Sequence, residues 1–532
     1  MKSKLLKKLC AISLAAVMLA GAGVGLADTG VFSDTAIKVS AATSGKYEYE
    51  NNSDGTITLT SINGAKGQLV IPSKIDGLTV SAIGDYSFGY NYDITELVIP
   101  DTVKKIDEYA FSGCRNLSKI TIGSGVTNIG KGAFYGCESL VTINIPANVK
   151  YLDQSAFADC KKLEKVTLNK GLLKIGNGAF DSCENLESIN FPDGLKEIGE
   201  SAFRRCENLE AANIPGTVSK IGKSAFGECS YLRTVTLNSG IKTIEEYAFA
   251  NCYDIKSIKI PDSVTKLGRN VFDGCNRLKT ATVGKGITII NEYTFNDCYR
   301  LKTVKLSEGL QVIGTGAFCD NYRLQSVNIP STVTTIRDSA FYNCNQLKEI
   351  SLSGVKVIGE EVFYNCYALT RLTLGDTVTS VGTNAFSCCE NMKTIYISDK
   401  VSELGYNCLP DYDHVTIYCY KDSIADDYAK DNNIDVKYIT SLKNTSSLSQ
   451  STIKLGESVK VNAKSSGGFG IKKYEIYYKL ESASSWTKAQ GYSTNNTVTI
   501  TPKKVGKYTV SVKVKDEKGK VVKKYLTVDI TK

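Results

Sequence analysis

A phenylalanine recurs at a fixed interval through most of this 532-residue chain. Successive members stand 23 residues apart, except for one step of 22 between Phe341 and Phe363. The column comprises Phe88, Phe111, Phe134, Phe157, Phe180, Phe203, Phe226, Phe249, Phe272, Phe295, Phe318, Phe341, Phe363 and Phe386. A period in the twenties indicates one short coil per repeat, with each coil stacked on the next, and not a string of separate domains.

Each repeat carries seven further apolar columns, as in the unit AFSGCRNLSKITIGSGVTNIGKG at residues 110–132. Counted from Phe111 they are Cys114, Leu117, Ile120, Ile122, Val126, Ile129 and Ala133. The alternation in Leu-x-x-Ile-x-Ile predicts a short strand, and strands of successive coils would pair in parallel at about 4.8 Å per coil. The Ile-Gly-x-x-Ala-Phe segment would turn on the opposite face. We therefore predict a solenoid of about 14 coils with one continuous core.

The pattern C-x-x-L-x-x-I-x-I-P-x-x-V-x-x-I-G-x-x-A-F closely resembles the leucine-rich repeats of BspA-like bacterial surface proteins, also called Treponema-type repeats. The resemblance covers about residues 45–440. It implies a β-rich, right-handed leucine-rich-repeat solenoid with its parallel sheet on the concave face, surface display or secretion, and frequently adhesion. It also implies an N-terminal cap at 45–87, repeats at 88–409 and a C-terminal cap with a short helix at 410–440. Caps are physically required, because a bare solenoid end exposes apolar core and strand edge.

Residues 1–27 read as a secretory signal, with four lysines followed by the apolar run from Leu9 to Ala27. Cleavage is plausible after Ala27 or as late as residue 42. The alternative is a retained membrane anchor, since about 18 apolar residues just span a bilayer, but the Gly and Ala content favours removal. We expect a secreted or cell-surface protein with no stable transmembrane segment after signal removal.

The net charge of +9 hides an asymmetry along the chain. Residues 441–532 contain 18 lysines, no arginine and 6 acids, which gives +12, whereas residues 28–440 carry −7. Residues 441–450 are rich in Ser, Thr and Asn and predict a linker. The alternating runs in 451–532 predict an antiparallel β-sandwich. This segment resembles the immunoglobulin-like or three-tyrosine modules of secreted bacterial proteins.

A basic module beside an acidic solenoid predicts diffuse attraction to an anionic cell-wall polymer or membrane surface. An exported chain is expected to meet such surfaces, and no nucleic-acid partner is expected. The candidate envelope-binding residues are Lys503, Lys504, Lys507, Lys518, Lys520, Lys523 and Lys524.

Twelve of the 17 cysteines stand three residues after the repeat phenylalanine. They are Cys114, Cys137, Cys160, Cys183, Cys206, Cys229, Cys252, Cys275, Cys298, Cys344, Cys366 and Cys389. Column neighbours would lie about 4.8 Å apart with parallel Cα–Cβ vectors, whereas a disulfide needs converging Cβ atoms near 3.8 Å. No C-x-x-C pair or histidine column supports a zinc site. We predict reduced, buried thiols that serve as small core residues, with Asn91 and Asn321 taking their place in two coils.

The sequence offers little catalytic chemistry. His414 is the only histidine in the chain, and it would have to carry any Ser-His-Asp or Cys-His arrangement alone. Phosphate-loop, dinucleotide, EF-hand and H-E-x-x-H patterns are absent. The Asp411–His414 segment lacks a spaced partner, and the adjacent acids of Glu245-Glu246 do not face each other across a cleft. We predict no catalytic, cofactor or metal site and no enzymatic activity.

Two surfaces are candidates for binding. Eighteen of the 28 outward strand positions, eight and ten residues after each phenylalanine, are Ser, Thr or Asn, and only Tyr396 is aromatic. A column of tyrosines directly after the cysteine column contains Tyr253, Tyr299, Tyr322 and Tyr367. These rings could stack on sugars or anchor a protein partner, although tyrosines that merely fill surface grooves are as common.

Two functions follow from these features. The first is a non-catalytic secreted or surface binding protein, with adhesion to an extracellular protein or glycan through the solenoid. The second is a carbohydrate-binding or scaffolding accessory for extracellular polysaccharide use, which the tyrosine column favours.

Overall fold

A computed structural model of the chain describes residues 41–410 and 413–532. The signal segment predicted for residues 1–27 lies outside the described residues. From Ala42 onwards the chain forms one compact unit, which contains a parallel solenoid of about 17 turns, including its caps, followed by antiparallel sheets. The predicted fold class is therefore confirmed.

The main sheet of the solenoid is formed by the Leu-x-x-Ile-x-Ile segments, one strand per coil. Its strands pair in parallel with a register of one repeat, so that Thr142 lies opposite Lys165 and Ile143 opposite Val166. Hydrogen bonding divides the sheet into sections of eight, four and four strands. The strands are Gly67–Val70, Ile94–Ile99, Lys119–Ile122, Thr142–Ile145, Lys165–Leu168, Ser188–Ile189, Ala211–Ile214 and Thr234–Leu237, then Ser257–Lys259, Thr280–Thr282, Thr303–Lys305 and Ser326–Asn328, then Arg371–Leu374, Thr394–Ile397, Thr416–Cys419 and Asp435–Tyr438.

A second parallel sheet runs along the stack and was not predicted. It consists mostly of two-residue strands that end on the isoleucine of the Ile-Gly pair, with that isoleucine buried and the preceding residue outside. Its strands are Leu78–Ile83, Lys105–Ile106, Asn128–Ile129, Tyr151–Leu152, Lys174–Ile175, Glu197–Ile198, Lys220–Ile221, Thr243–Ile244 and Lys266–Leu267, then Ile289–Ile290, Val312–Ile313, Thr335–Ile336, Val357–Ile358, Ser380–Val381 and Glu403–Leu404.

The phenylalanine column forms a continuous stack of rings through the core. Each neighbouring pair is stacked, with ring centroids 5.0–5.6 Å apart and planes inclined by 3–17°. The rings from Phe111 to Phe386 are fully buried. Backbone bonds reinforce the stack, since Phe111 N–H donates to the Ala133 carbonyl at 2.8 Å and this bond recurs between successive coils.

The turn around each phenylalanine uses left-handed backbone at two positions, two residues before and two residues after the ring. Around Phe295, for example, Tyr293 has φ of 53° and Asp297 has φ of 53°. Nine of the 14 residues in the later column are Gly, Asn or Asp, the types that adopt this conformation at least cost. This enrichment is the sequence signal for the turn.

The cysteine column is buried, as predicted, and its residues are free cysteines in this structure. Each of the twelve thiols also donates to the carbonyl of the phenylalanine one coil earlier, with Sγ–O distances of 3.0–3.4 Å. Asn321 makes the equivalent bond to the Phe295 carbonyl at 2.8 Å. Burial raises the pKa of Cys389 to about 12, which keeps that thiol protonated as a donor at neutral pH.

The 22-residue coil loses its residue in the turn that follows the main-sheet strand. A Cβ on Gly354 would overlap the carbonyl oxygen of Ser331 in the coil before it, so only glycine fits this tighter turn. The main-sheet strand of this coil is reduced to a single β-bridge between Ser326 and Glu349.

Both ends of the solenoid are covered. At the N-terminal end, strands Ala41–Ser44, Tyr47–Asn51 and Ile57–Ile62 lead into the second sheet, with Lys74–Ile75 paired beside them. At the C-terminal end, helix Ile424–Asp431 is capped by Ser423, whose Oγ accepts from Asp426 N–H at 3.4 Å. The parallel strand Asp435–Tyr438 follows the helix and completes the main sheet.

The C-terminal region packs two antiparallel sheets around its own apolar core, which includes Val461, Ile476 and Val512. The smaller sheet contains the strands Ser447–Leu448, Val459–Asn462 and Thr497–Ile500. The larger sheet has five strands, of which the first two pair in parallel, in the order Thr452–Lys454, Val521–Thr531, Gly506–Lys515, Lys473–Leu480, Thr487–Ser493. In addition, the short strand Lys443–Asn444 pairs with Ser465–Ser466. The segment predicted as a linker, 441–450, therefore forms strands, because its polar residues pair through their backbone at the sheet edges.

Replacing Phe226 by Ala is expected to lower the free energy of unfolding by about 3–5 kcal/mol, as for other buried phenylalanines. The ring is fully buried and stacks at 5.3 Å on both neighbours, so the variant opens a cavity in the middle of the column. Urea unfolding followed by circular dichroism measures the change, with Lys223→Ala as the exposed control in the same coil. Equal stability of the two variants would contradict the inward role of the column.

Candidate interaction surfaces

The tyrosine column presents partly exposed rings along one edge of the solenoid. Tyr253 is 43% exposed, Tyr299 41% and Tyr322 40%, whereas Tyr367 is half-buried. The rings of Tyr299 and Tyr322 stack at 5.6 Å with an angle of 21°. Asparagines occupy the same position in two intervening coils, so that rings and amides share the edge.

The Tyr322 hydroxyl donates to Asp320 at 3.1 Å. Partial burial and the negative charge of Asp320 raise the pKa of Tyr322 to about 12. The hydrogen bond to Asp320 fixes the orientation of the Tyr322 ring.

Other solenoid tyrosines have a packing role instead. A Cβ on Gly113 would overlap the Tyr90 ring, and the same holds for Gly132 with Tyr109 and for Gly316 with Tyr293. Each of these tyrosines lies over the glycine one coil later, and both residues belong to the columns that adopt left-handed backbone conformation. No glycine follows the residues of the tyrosine column at that spacing, so this packing does not explain their exposed rings.

Arginines beside this column were missed by the sequence reasoning. Arg300 directly follows Tyr299, and Arg323 directly follows Tyr322; both arginines are exposed. The repeated Tyr-Arg pair at a spacing of 23 was the available signal. Tyrosine and arginine are the residues most enriched at the energetic centres of protein interfaces.

The C-terminal domain is docked on the last strands of the main sheet through the turn between its two longest strands. Glu517 accepts from Arg371 at 2.8 Å, and Lys518 Nζ lies 2.8 Å from Asp376 and 3.1 Å from Asp399. The hydrogen bond from Lys518 lowers the pKa of Asp399. This carboxylate therefore stabilises the contact above its ordinary pKa, and its contribution is lost as the pH falls through the lowered value.

Tyr396, the aromatic residue predicted to lie on the open sheet face, belongs to this docked contact. Phe469 meets its ring edge-on at 5.9 Å, the Arg371 guanidinium lies 5.0 Å from the ring centre and Lys472 Nζ 5.9 Å. Long-range docking of this kind leaves no periodic trace in the sequence.

The candidate envelope lysines divide into two groups. Lys503, Lys504, Lys507, Lys520 and Lys523 are exposed. Lys518 is held in the docked contact, with its side chain 19% exposed, and Lys524 donates to the Ser446 carbonyl at 2.7 Å.

Basic and aromatic side chains also meet on the five-stranded sheet of the C-terminal domain, where sequence reasoning had singled out few residues. Lys513 lies over the Tyr477 ring at 4.9 Å and Lys479 over Trp486 at 5.4 Å. The exposed Trp486 in turn lies 6.2 Å from the exposed Tyr525.

Within residues 41–410 and 413–532, no group of three or more His, Cys, Asp and Glu residues is arranged to hold a metal ion. His414 Nε2 contacts the Glu390 carbonyl at 3.0 Å, and Asp411 and Tyr412 lie outside the described residues. Glu245 and Glu246 pair with Lys220 and Arg269 at 3.2 and 3.3 Å. No helix among the described residues is long and apolar enough to cross a membrane.

Comparison with known proteins agrees with this architecture. The family model of the BspA type leucine rich repeat region matches in six copies, over residues 81–210, 196–325 and 311–433. The chain is similar to a leucine-rich repeat protein from Bacteroides ovatus, with 25% identity, a TM-score of 0.52, and coverage of 70% of this chain and 100% of that one. It is also similar to a leucine rich cell surface protein from Faecalibacterium prausnitzii, with 32% identity, a TM-score of 0.42, and coverage of 58% and 93%. No curated protein matches the sequence.

Replacing Lys518 by Glu is expected to weaken the docking of the domain, because it sets a carboxylate against Asp376 and Asp399. Lys520→Glu, an exposed site in the same turn, makes the same charge change and is the control. The loss is expected to be about 1 kcal/mol, since both aspartates are half exposed. Small-angle scattering and hydrogen exchange at Tyr396 measure it. If the two variants give identical profiles, the ion pairs do not hold the domain.

Proposed function

The chain belongs to the BspA-type leucine-rich-repeat family, and from this membership we propose that it is a non-catalytic surface or secreted protein that binds an extracellular partner through the tyrosine column of its solenoid. One similar protein, from Faecalibacterium prausnitzii, is described as a cell surface protein, which agrees with this location. The observation that carries the binding site is the stacked, 40%-exposed pair Tyr299 and Tyr322 beside Arg300 and Arg323. The partner is an extracellular protein or glycan.

A carbohydrate-binding or scaffolding role is the second candidate. The observation that favours it is the exposed, stacked pair Tyr299 and Tyr322, because aromatic rings stack on the apolar face of a sugar. A neutral glycan would then bind without the arginines, whereas an acidic or protein partner would need them.

Binding by this column is tested with the double variant Tyr299→Ala/Tyr322→Ala. We expect affinity for a ligand found on panels of matrix proteins and glycans to fall at least about tenfold, because exposed aromatic anchors carry most interface energy. Tyr151→Ala is the control, since this tyrosine is 59% exposed and lies on the second sheet. An unchanged affinity in the double variant would refute the site.

The C-terminal domain is proposed to associate with the anionic cell envelope through Lys503, Lys504 and Lys507. These lysines are exposed and lie at the end of the domain away from the docked turn. Lysine without arginine suits diffuse attraction to charged polymers.

Replacing these three lysines by alanine is expected to weaken binding of the full chain to isolated envelopes several-fold. Binding should also fall steeply between about 0.05 and 0.5 M salt, because the screening length for exposed charges shortens from about 14 Å to about 4 Å over this range. Alanine at the exposed Lys104, Lys150 and Lys196 is the matched control. Salt-insensitive binding, or binding that resides in residues 45–440, would contradict this part of the proposal.

A further inference from the structure

Charges on the solenoid normally pair with the opposite sign one coil further on. The ion pairs include Arg115–Glu138 at 3.3 Å, Lys174–Glu197 at 3.1 Å and Arg205–Glu228 at 2.9 Å. Pairs of this kind neutralise the stack, since like charges opposite each other in neighbouring strands destabilise a sheet.

The solenoid edge that carries the tyrosine column departs from this pairing of opposite charges in several coils. Four and seven residues after the phenylalanine, two successive coils carry Glu184 and Glu187, then Glu207 and Glu210. Further along the same edge, two successive coils carry Arg277 and Lys279, then Arg300 and Lys302. All eight side chains reach solvent.

Most of these charges are not neutralised within the chain. In the part of the chain that the structure describes, no opposite charge lies within 4.0 Å of Glu187, Glu207, Lys279, Arg300 or Lys302. The others have partial partners, such as Arg277 with Asp254 at 2.9 Å. The edge therefore presents separate acidic and basic stretches.

We propose that two copies of this chain pair edge to edge in an antiparallel arrangement, with the acidic stretch of each copy facing the basic stretch of the other. A two-fold axis midway between the coils of Phe226 and Phe249 places the acidic and basic coils at equal distances on either side. Glu207 and Glu210 then face Arg277 and Lys279 of the second copy, and the same contact occurs twice by symmetry. Glu184 and Glu187 likewise face Arg300 and Lys302 of the second copy.

The centre of this contact holds two exposed tyrosines, Tyr231 at 51% and Tyr253 at 43% exposure. Beside them lies an open depression of about 550 Å³ lined by Glu187, Asn208, Glu210, Tyr231 and Arg233, among others. Glu210 is paired there with Arg233 at 2.9 Å, and the Glu187 carboxylate together with the Tyr231 ring suits a lysine or arginine side chain of the second copy.

A second copy explains this edge better than an acidic polymer does. An acidic polymer would satisfy the basic coils alone and would be repelled by the glutamates on the same edge. The strip is about 24 Å long, at roughly 4.8 Å per coil, and about 10 Å wide, at roughly 3.3 Å per residue. Its area of about 240 Å² is small beside the roughly 800 Å² per partner of a stable interface. The pairing is therefore weak between single molecules and strong between arrays of copies on facing surfaces.

This inference rests on the proposed surface-binding function, because it names a partner for the same edge. Sedimentation velocity of the full chain at about 50 mM and 500 mM salt tests it, together with clustering of beads coated with the protein. We expect concentration-dependent dimers and bead clusters at low salt, weakened at least about tenfold at high salt.

Charge reversal gives the sharper test. The acidic-side variant Glu187→Lys/Glu207→Lys and the basic-side variant Lys279→Glu/Arg300→Glu should each lose self-association, and a mixture of the two should regain it. Glu108→Lys/Glu200→Lys, which changes exposed acids on the turn side, is the charge-matched control and should pair like the wild type. Rescue in the mixture also excludes misfolding as the cause of the loss.

Three results would overturn the pairing: monomers and dispersed beads at low salt, self-association unchanged by both variants, or loss without rescue in the mixture. Tight binding of polygalacturonate that needs Arg300 and Lys279 but not the glutamates would replace the second copy by an acidic glycan. If self-association fails while Tyr299→Ala/Tyr322→Ala still abolishes binding of another ligand, the proposed function stands and this inference alone falls.

Discussion

The stacking of one coil on the next is the constraint on which the rest of the structure depends. Each inward side chain must match the same position in the coils above and below, and a ring centroid spacing of 5.0–5.6 Å leaves room for offset, near-parallel rings. Every coil must also close its turn in the same conformation to keep the backbone ladders in register. The interior is therefore nearly invariant, while the residues on the edges are free to vary and to carry function.

The cysteine column shows how this constraint selects a residue type. The phenylalanine carbonyl one coil earlier points into an apolar stack, and the residue beside it must be small and able to donate a hydrogen bond. A thiol meets both conditions, and Asn321 meets the second by donating to Phe295. Many cysteines in a secreted protein normally indicate disulfides. In this column every thiol instead donates to a backbone carbonyl in the same way, and the column acts as a ladder of hydrogen-bond donors. Sequence reasoning identified the burial and not the bond, because the acceptor is a backbone atom 26 residues away.

Features that repeat were predictable, and features that occur once were not. The period identified Phe226 as core and the Leu-x-x-Ile-x-Ile segment as strand, because each is repeated in almost every coil. The second sheet escaped prediction because a two-residue strand has no alternation to detect. The docked contact joins Arg371 to Glu517, which is 146 residues away in the sequence, and no local pattern in either segment predicts it. The sequence also showed the tyrosine column. The grouping of acidic and basic residues beside it into separate stretches became clear only when the coils were placed in order along one edge of the solenoid.

Docking also decides which surfaces remain for a partner. Tyr396 and Arg371 lie under the C-terminal domain, so the last strands of the main sheet are covered and the edge columns remain open. The docked turn follows the strand Gly506–Lys515, whose ten residues span roughly 30 Å. Lys507 stands near the opposite end of that strand, so Lys503, Lys504 and Lys507 lie away from the docked turn. The function proposed above, with a partner on the solenoid edge and the envelope at the far end of the domain, requires this fixed separation, because a flexible linker would let the basic domain fold back onto the acidic coils.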